Sequence, residues 1–366
     1  MEKRMAYDAT NETIIALCSK ELQSEYKENT TKENEQMPKK EKLLVSVDAG
    51  KKSTKVYYEI EDRPKFKVVK SCIDIVESGD DTYTHAGLVL VNDIAFNFNT
   101  SKTVIETAND NKKHNNFHLG LIAKELDEIS EKENINTFDL AITTPLDGFN
   151  NMLDDVKAFY EKHKELNIVK ADTKKTIKIN RIIIRPEMIS AINMIGQTVK
   201  KGVVFILDVG GLNHQFIKLE DFKTDMKTES FTGEKGYNFI EENLVQYMRN
   251  NSTTSYKDAD VFRYIESDKF ETDTDKDNLI QKFFDDVYVP SLIEDLEKKS
   301  FSAEFDRIFM VGGTSQRFKN FFEKAFTNKG ATVQLVNKSI FASVIGAYKK
   351  AKADIAKLEK LEKESK

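Results

Sequence analysis

The stretch from Leu43 to Tyr57, LLVSVDAGKKSTKVY, indicates the fold of this chain. An apolar strand ends at Asp48 and Gly50, and after a short polar turn a second apolar run begins at Val56. This order predicts a tight β-hairpin, because glycine tolerates the positive φ that such a turn requires. The turn would expose one carboxylate beside a row of backbone amides.

A second stretch, VVFILDVGGLNHQFI at 203–217, repeats this arrangement with Asp208, Gly210 and Gly211. Two such hairpins, separated by the length of a domain, predict a duplicated α/β architecture. Backbone N–H groups at glycine-containing turns suit phosphate oxygens, and an Asp beside each turn can hold hydrated Mg²⁺. Facing each other across a cleft, the two turns would clamp a nucleotide. The alternative is that both are ordinary hairpins in which Asp and Gly serve only the turn.

The composition is that of a folded protein. Its 366 residues are enough for two domains, and 39% hydrophobic residues can form a sizeable core. A net charge of −5 argues against a surface that binds nucleic acid or anionic membrane as a whole. Cys18 and Cys72 form no CxxC motif, and no apolar run is long enough to span a bilayer. We therefore expect a cytoplasmic protein without membrane contact.

Apolar periodicity predicts the remaining elements. Strands are expected at 67–69, 88–91, 94–98, 139–143, 181–184, 307–311 and 333–336. Helices are expected at 117–130, 150–164, 188–200, 238–249 and 316–326, with a final helix from Ile340. Residues 1–42 differ, with a short helix expected at 11–26 and a polar linker at 27–42. They are either a tail outside the fold or a docking segment for a neighbouring subunit.

Two further features bear on a nucleotide site. Glu187 follows Pro186 at the start of a helix, where it serves catalysis or only complements the helix dipole. Gly312 and Gly313 end the strand at 307–311, and such junctions can place backbone amides against a ligand.

Two motifs that suggest other kinds of site are incomplete. His114 and His118 have the spacing of two ligands on one helix face, but without a third ligand they indicate a surface or satisfied histidine pair. The run from Gly50 to Thr54, GKKST, lacks the intact GK[ST] of a Walker A loop because the lysine is doubled.

The order of these motifs resembles that of the actin-like ATPase superfamily, and within it the ParM-type bacterial actins that segregate plasmids. The resemblance implies nucleotide contacts from a first phosphate loop (Asp48, Gly50, Lys51, Lys52, Ser53, Thr54, Lys55), a second phosphate loop (Gly210, Gly211, Leu212, Asn213), a ribose and base segment (Glu234, Lys235, Gly236) and an adenosine motif (Gly312, Gly313, Thr314, Ser315, Arg317). It also implies that Asp48 and Asp208 hold Mg²⁺ through water. Glu187 and Asp208 would be catalytic, with Glu187 orienting the attacking water.

The chain departs from the family pattern after Gly211. The family usually places Thr or a similar hydroxyl residue there and then an Asp, whereas this chain has Leu212, Asn213 and His214. Hydroxyl contacts to the γ-phosphate are therefore not expected from this loop, while its backbone amides would still serve.

The implied fold is α/β: two actin-like domains, a ribonuclease H-like duplication, around a nucleotide cleft. Domain I would comprise 43–186 with 337–366, and domain II 187–336. The implied function is an ATPase, with GTP as the alternative nucleotide, that forms filaments and moves plasmid DNA through a DNA-binding adaptor without binding nucleic acid itself. Two alternatives stay open, a small-molecule (sugar-type) kinase of the same fold and a non-hydrolysing nucleotide-gated binding module. No candidate catalytic Asp stands out at 143–149, as a kinase would need.

Overall fold

The computed structural model describes residues 41–76, 88–101, 114–146, 149–171, 173–195, 202–221, 223–225, 228–252, 257, 261, 263–265 and 274–364. The predictions made for residues 1–40, and for the end of the helix at 188–200, lie outside the described residues.

The first sheet has nine strands. They are β1 (Leu43–Ala49), β2 (Ser53–Ile60), β3 (Arg63–Lys70), β4 (Asp74–Val76), β5 (Leu88–Val91), β6 (Ile94–Asn97), β7 (Thr137–Thr144), β8 (Glu165–Lys170) and β9 (Thr173–Pro186). Their spatial order is β3-β2-β1-β7-β9-β8-β5-β6-β4. Strands β1 to β3 pair antiparallel, whereas β7 is parallel to both β1 and β9.

The second sheet has five strands, β10 (Val203–Val209), β11 (His214–Glu220), β12 (Ser230–Gly233), β13 (Arg307–Val311) and β14 (Thr332–Leu335). Their order is β12-β11-β10-β13-β14, with β10 to β12 antiparallel and β13 parallel to both β10 and β14. This is the pattern of β3-β2-β1-β7-β9 in the first sheet. The duplicated α/β architecture predicted from the two hairpins is therefore confirmed.

The helices flank these sheets. They are α1 (Asn116–Glu133), α2 (Phe149–Lys162), α3 (Glu187–Ile195), α4 (Tyr237–Asn251), α5 (Thr274–Phe283), α6 (Val289–Glu297), α7 (Gly313–Arg317), α8 (Lys319–Asn328) and α9 (Ala342–Glu364). A π-helical segment, Phe284–Tyr288, joins α5 to α6. Among the described residues no helix is long and apolar enough to cross a membrane.

The predicted elements are present, but several boundaries were wrong. Strand β9 is much longer than the predicted 181–184, because the buried Ile177 and Ile179 alternate with exposed polar residues and the first part of the strand, up to Lys178, pairs with β8. Strands β4, β8 and β12 were missed, since each is short and only partly apolar. The single helix predicted at 316–326 is two helices that meet at Phe318, where φ is −102°.

Helix α9 returns to the first sheet, where it packs against β1, β2 and β7 and crosses α3. The crossing is close because a Cβ on Gly346 would lie 1.7 Å from the Ser190 carbonyl oxygen. Arg185 of β9 forms an ion pair with Asp354 of α9. This packing agrees with the expected return of the chain to the first sheet, while the division into 43–186 with 337–366 and 187–336 stays a prediction.

Candidate functional site

A cavity of about 410 Å³ opens between the β1–β2 and β10–β11 turns. The predicted site residues that line it are Asp48, Gly50, Lys51, Lys52, Ser53, Lys55, Glu187, Asp208, Gly210, Gly211, Leu212, Asn213, Gly312 and Gly313. The fold thus brings both hairpins, the Glu187 helix start and the Gly312 turn to one place. Their roles as ligands stay predictions.

The two turns have the same length. Ala49 pairs with Thr54 and Val209 pairs with His214, so four residues lie between the last paired positions in each hairpin. We call residues 50–53 the first loop and residues 210–213 the second loop.

The predicted reason for glycine in these loops was wrong. Of the described glycines only Gly202, Gly312 and Gly330 have a positive φ, so neither loop uses that conformation. Gly50 is required by a close approach instead, because a Cβ there would lie 2.7 Å from the Ser53 carbonyl oxygen. The loop closes on its own backbone, which leaves no space for a side chain.

Helix α4 holds the carbonyl groups of the second loop. The carbonyls of Gly210, Gly211 and Leu212 accept hydrogen bonds from the backbone amides of Tyr237, Asn238 and Gly236, at 2.9, 3.0 and 3.1 Å. Because a trans peptide is planar, each N–H that follows such a carbonyl points the opposite way, away from α4. Those amides belong to Gly211, Leu212 and Asn213, which line the cavity. The helix start thereby satisfies its own unpaired donors and turns the loop amides away from itself.

Ser71 holds two carbonyls of the first loop. Its backbone amide donates to Lys52 O at 3.1 Å, and its hydroxyl donates to Gly50 O. The same planarity turns the amides of Lys51 and Ser53 the other way. Thr54 donates its hydroxyl to Ser71 Oγ at 2.9 Å, so this predicted site residue does not line the cavity. Ser71 was not predicted, because it lies after β3, far from the loop in sequence.

Asp48 and Asp208 occupy equivalent positions at the ends of β1 and β10. Asp48 lies across from Lys55 in the antiparallel pairing, and its Oδ2 accepts from Lys55 Nζ at 2.9 Å. Asp208 lies across from Gln215. The two carboxylates therefore have different neighbours, one cationic and one neutral.

Gly312 packs against the Asp208 carboxylate. Its φ is +96°, and a Cβ there would lie 2.1 Å from Asp208 Oδ1. Any other residue would both adopt a strained conformation and collide with the carboxylate. The glycine predicted from the strand end thus sets the position of Asp208.

Two of the other predicted residues support the second loop from outside the cavity. Thr314 donates its hydroxyl to the Gly210 carbonyl at 2.9 Å. Gly236 packs so closely that a Cβ would lie 2.4 Å from the carbonyl carbon of Leu212. The predicted residues that do not line the cavity are Thr54, Glu234, Lys235, Gly236, Thr314, Ser315 and Arg317.

The side chains of these remaining residues lie in different places. Lys235 Nζ is bonded to Asp295 at 2.6 Å, and Glu234 is exposed. Arg317 lies over the ring of Tyr237, 5.7 Å from its centroid, and Ser315 is buried.

His214 does not face the cavity. It is fully buried beside Asp295, and burial lowers its pKa to about 4, so the ring is neutral at pH 7. Since side chains alternate along β11, Asn213 and Gln215 share the face that lines the cavity. The departure from the family pattern at His214 therefore lies outside the cavity.

Gln215 was missed by the sequence analysis, although the alternation along β11 could have found it. Its side chain is 4% exposed, and Oε1 has no hydrogen-bond partner in the part of the chain that the structure describes. A buried acceptor of this kind costs free energy unless a ligand or water satisfies it. Gln215 is therefore a candidate to contact a molecule in the cavity.

The sequence analysis set aside His118 as a metal ligand and interpreted it as part of a surface or satisfied histidine pair, so it did not predict a place for His118 in the cavity. It is buried in α1 and lines the cavity, so it is not a surface residue. Asn115 Oδ1 accepts from both the His118 backbone amide, at 3.1 Å, and ring Nδ1, at 2.7 Å. The other lining residues that were not predicted are Pro145, Met152, Thr232, Ser339, Ile340 and Ser343.

The carboxylates fit a magnesium ion that arrives with a nucleotide. Mg²⁺ is usually held by one or two carboxylates together with substrate phosphates and water. Asp48 and Asp208 line one cavity, as this requires. Across the described ranges, no group of three or more His, Cys, Asp or Glu side chains could hold an ion without such a partner.

No family model matches the sequence, and no curated protein matches it either. Solved structures do match. An apo ParM protein, psk41 parM, is 15% identical with a TM-score of 0.63, covering 87% of this chain and 99% of that one. A structure of an Alp12 filament is 19% identical with a TM-score of 0.61, covering 86% and 99%.

A third similar structure is Bacillus thuringiensis ParM with ATP, which is 13% identical with a TM-score of 0.59 and covers 87% of this chain and 100% of that one. These matches extend over nearly the whole of each solved chain. Together with the duplicated sheets and the two equivalent loops around one cavity, they show that this chain has the actin-like fold.

Proposed function

We propose that this chain is a cytoplasmic ATPase that binds ATP with Mg²⁺ between the first and second loops and polymerises into filaments. The observation that carries the proposal is the pair of equal loops. In each loop, backbone amides point away from the groups that hold the loop carbonyls. Asp48 and Asp208 line the same cavity. A solved protein of this fold, Bacillus thuringiensis ParM, is described with ATP, which supports the choice of nucleotide.

The chemistry asks mainly for positioning and charge neutralisation, because a phosphoryl transition state needs little covalent help from the protein. The loop amides would donate to phosphate oxygens, and Lys55 supplies a positive charge beside them. Asp48 and Asp208 would hold Mg²⁺, which neutralises phosphate charge when bound. Glu187, the first residue of α3, lines the cavity and would accept a hydrogen bond from the attacking water.

Filament formation is the proposed output of this ATPase. The Alp12 structure of the same fold is a filament, which supports self-association. Head-to-tail contacts between identical subunits extend indefinitely unless their rotation closes a ring. A nucleotide-linked change of only ~1.4 kcal/mol in each contact would shift the critical concentration tenfold. By resemblance to ParM-type actins, the filament would move plasmid DNA through a DNA-binding adaptor.

The test compares wild type with Glu187→Ala in light scattering, pelleting and phosphate-release assays. Wild type should assemble with ATP and Mg²⁺ and disassemble after hydrolysis. Glu187→Ala should bind ATP, release phosphate on the order of 10²-fold more slowly and form filaments that persist. Glu161→Ala is the control, because Glu161, on α2, pairs with Lys164 and does not line the cavity.

Three outcomes would contradict parts of this proposal. Scattering that stays flat with ATP bound would remove the filament and favour a kinase or a nucleotide-gated binding module. Unchanged turnover in Glu187→Ala would return Glu187 to the role of a helix-dipole partner. Wild type without affinity for ATP would remove the whole proposal.

A further inference from the structure

Lys235 is held at three points outside the nucleotide cavity. Its backbone amide donates to His214 Nδ1 at 3.3 Å, and its carbonyl accepts from the Tyr288 hydroxyl at 2.6 Å. Its Nζ donates to the Ser291 carbonyl at 2.7 Å and to Asp295 Oδ2 at 2.6 Å. We call these five residues the Lys235 anchor.

Three of the five anchor residues, His214, Tyr288 and Asp295, are buried, and Lys235 and Ser291 are half-buried. Tyr288, Ser291 and Asp295 follow one another at intervals of three and four, so one helix face provides all three contacts. His214 is neutral and accepts the Lys235 amide at Nδ1, so its proton is on Nε2, which lies 3.2 Å from Asp295 Oδ2. Charge-assisted hydrogen bonds in such a setting are stronger than those between neutral groups.

The anchor leads directly to the second loop. The residue after Lys235 is Gly236, and the amides of Gly236, Tyr237 and Asn238 are the three that hold the loop carbonyls. Gly236 packs against Leu212 with no space for a methyl group. A shift of Lys235 would therefore move the donors that orient the loop amides.

We propose that Lys235 is a positioning residue, which fixes the second loop for the nucleotide phosphates, and not a ligand of the ribose or base as the family resemblance implies. The inference rests on the proposed function, because phosphate recognition by the second loop is part of that function. The motif from Gly233 to Gly236 would then position the second loop through Lys235, a role distinct from contact with the ribose or base.

The test measures the affinities of ATP, ADP and adenosine by calorimetry for wild type and Lys235→Met. The variant keeps the side-chain stem, and Asp295 keeps Lys298 as a cationic partner at 2.5 Å, so we expect it to fold. ATP and ADP should bind roughly tenfold more weakly, as expected when a charged hydrogen bond is lost, while adenosine binds within twofold of wild type. An equal loss for adenosine would overturn the inference, as would unchanged affinity for ATP and ADP.

Lys298→Met is the matched control. Lys298 Nζ bonds to the same Asp295 carboxylate and lies over the Phe231 ring, 4.9 Å from its centroid, with the side chain half-exposed. Its variant should leave all three affinities unchanged. A loss as large as that of Lys235→Met would overturn the inference, because charge near Asp295 would then be the cause.

Tyr288→Phe tests the anchor from its other end, since it removes only the hydroxyl that reaches the Lys235 carbonyl. It should weaken ATP several-fold without affecting adenosine. Tyr247→Phe, which loses a hydroxyl bonded to Asp286 at 2.9 Å on a neighbouring surface, should change neither affinity. Identical behaviour of the two tyrosine variants would contradict the anchor.

Hydrogen exchange supplies a readout without nucleotide. The amides of Tyr237 and Asn238 should exchange faster in Lys235→Met and at the wild-type rate in Lys298→Met. Unchanged exchange in Lys235→Met would overturn the inference alone, with ATP binding by wild type still intact. Wild type that binds none of the three ligands would overturn the proposed function and the inference with it.

Discussion

The two loops have the same length and register but present different chemistry to the cavity. The first loop contains Lys51 and Lys52, and Lys55 lies across from its aspartate. The second loop, GGLN, has no charged side chain, and Gln215 lies across from its aspartate. Positive charge therefore lies on one side of the cavity, while the other side offers oriented backbone groups.

The loops are also braced differently. Ser71 holds carbonyls of the first loop with one amide and one hydroxyl. The second loop is held by the start of helix α4 and by Thr314. The uncharged loop, which could bind phosphate only through its backbone amides, receives hydrogen bonds from a helix start and from a threonine, whereas the charged loop receives two from Ser71.

Lys52 of the first loop contacts helix α4, which holds the second loop. Its Nζ lies 3.4 Å from Glu241 Oε2 and 4.1 Å from the centroid of the Tyr237 ring, both on α4. Its stem packs against Gly211, where a Cβ would lie 3.0 Å from Lys52 Cδ. Charge from the first loop thus reaches the helix that braces the second.

The greatest loss of stability should come from alanine substitutions at the two glycines that lie closest to the loop backbones. Gly236→Ala would place a methyl group within 2.8 Å of three backbone atoms of the second loop, whereas Gly50→Ala meets one backbone oxygen at 2.7 Å. We expect losses in the free energy of unfolding of about 3 kcal/mol and about 1 kcal/mol, respectively. Urea denaturation followed by circular dichroism measures both. Equal losses would mean that the second loop is no more tightly placed than the first.

The next pair of variants compares a charged side chain on one side of the cavity with a neutral one on the other. Lys55→Met should weaken ATP binding by about tenfold in low salt, because it removes a cation beside the phosphates, and the loss should shrink as salt is added. Gln215→Met, its counterpart across the cavity, should weaken binding by only about threefold at every salt concentration. Calorimetric titration at two ionic strengths decides this. A salt-dependent loss in Gln215→Met would contradict the assignment of charge to one side.

The weakest effects should come from removing a single hydroxyl group that bonds to each loop. Ser71→Ala removes the hydroxyl that holds Gly50 and should weaken ATP binding about fivefold, because this is one of the two hydrogen bonds that Ser71 donates to the loop carbonyls. Thr314→Val removes the hydroxyl bonded to Gly210, whose carbonyl keeps the Tyr237 amide, so the loss should stay near twofold. Competition with a fluorescent ATP analogue measures both. A larger loss of ATP affinity in Thr314→Val than in Ser71→Ala would show that helix α4 is not the main support of the second loop.

Most of the strands, the two Asp–Gly turns and their duplication were predictable from the sequence alone. These features are local, because an apolar strand that ends in Asp and Gly encodes both the strand and its turn within a few residues. The positions of Asp48, Asp208, Glu187 and Gly312 followed from the same logic, since each stands at the end of a strand or the start of a helix.

Which groups hold the loops, and which side chains face the cavity, depends on tertiary packing. Ser71 and the start of α4 brace loops that are distant in sequence, and no local pattern specifies such a pairing. Lys235 belongs to a motif that predicts a ligand, yet its charge is bonded to Asp295, 60 positions away. The physical reason is that buried hydrogen-bonding groups must find partners wherever packing brings them, and packing depends on the whole fold.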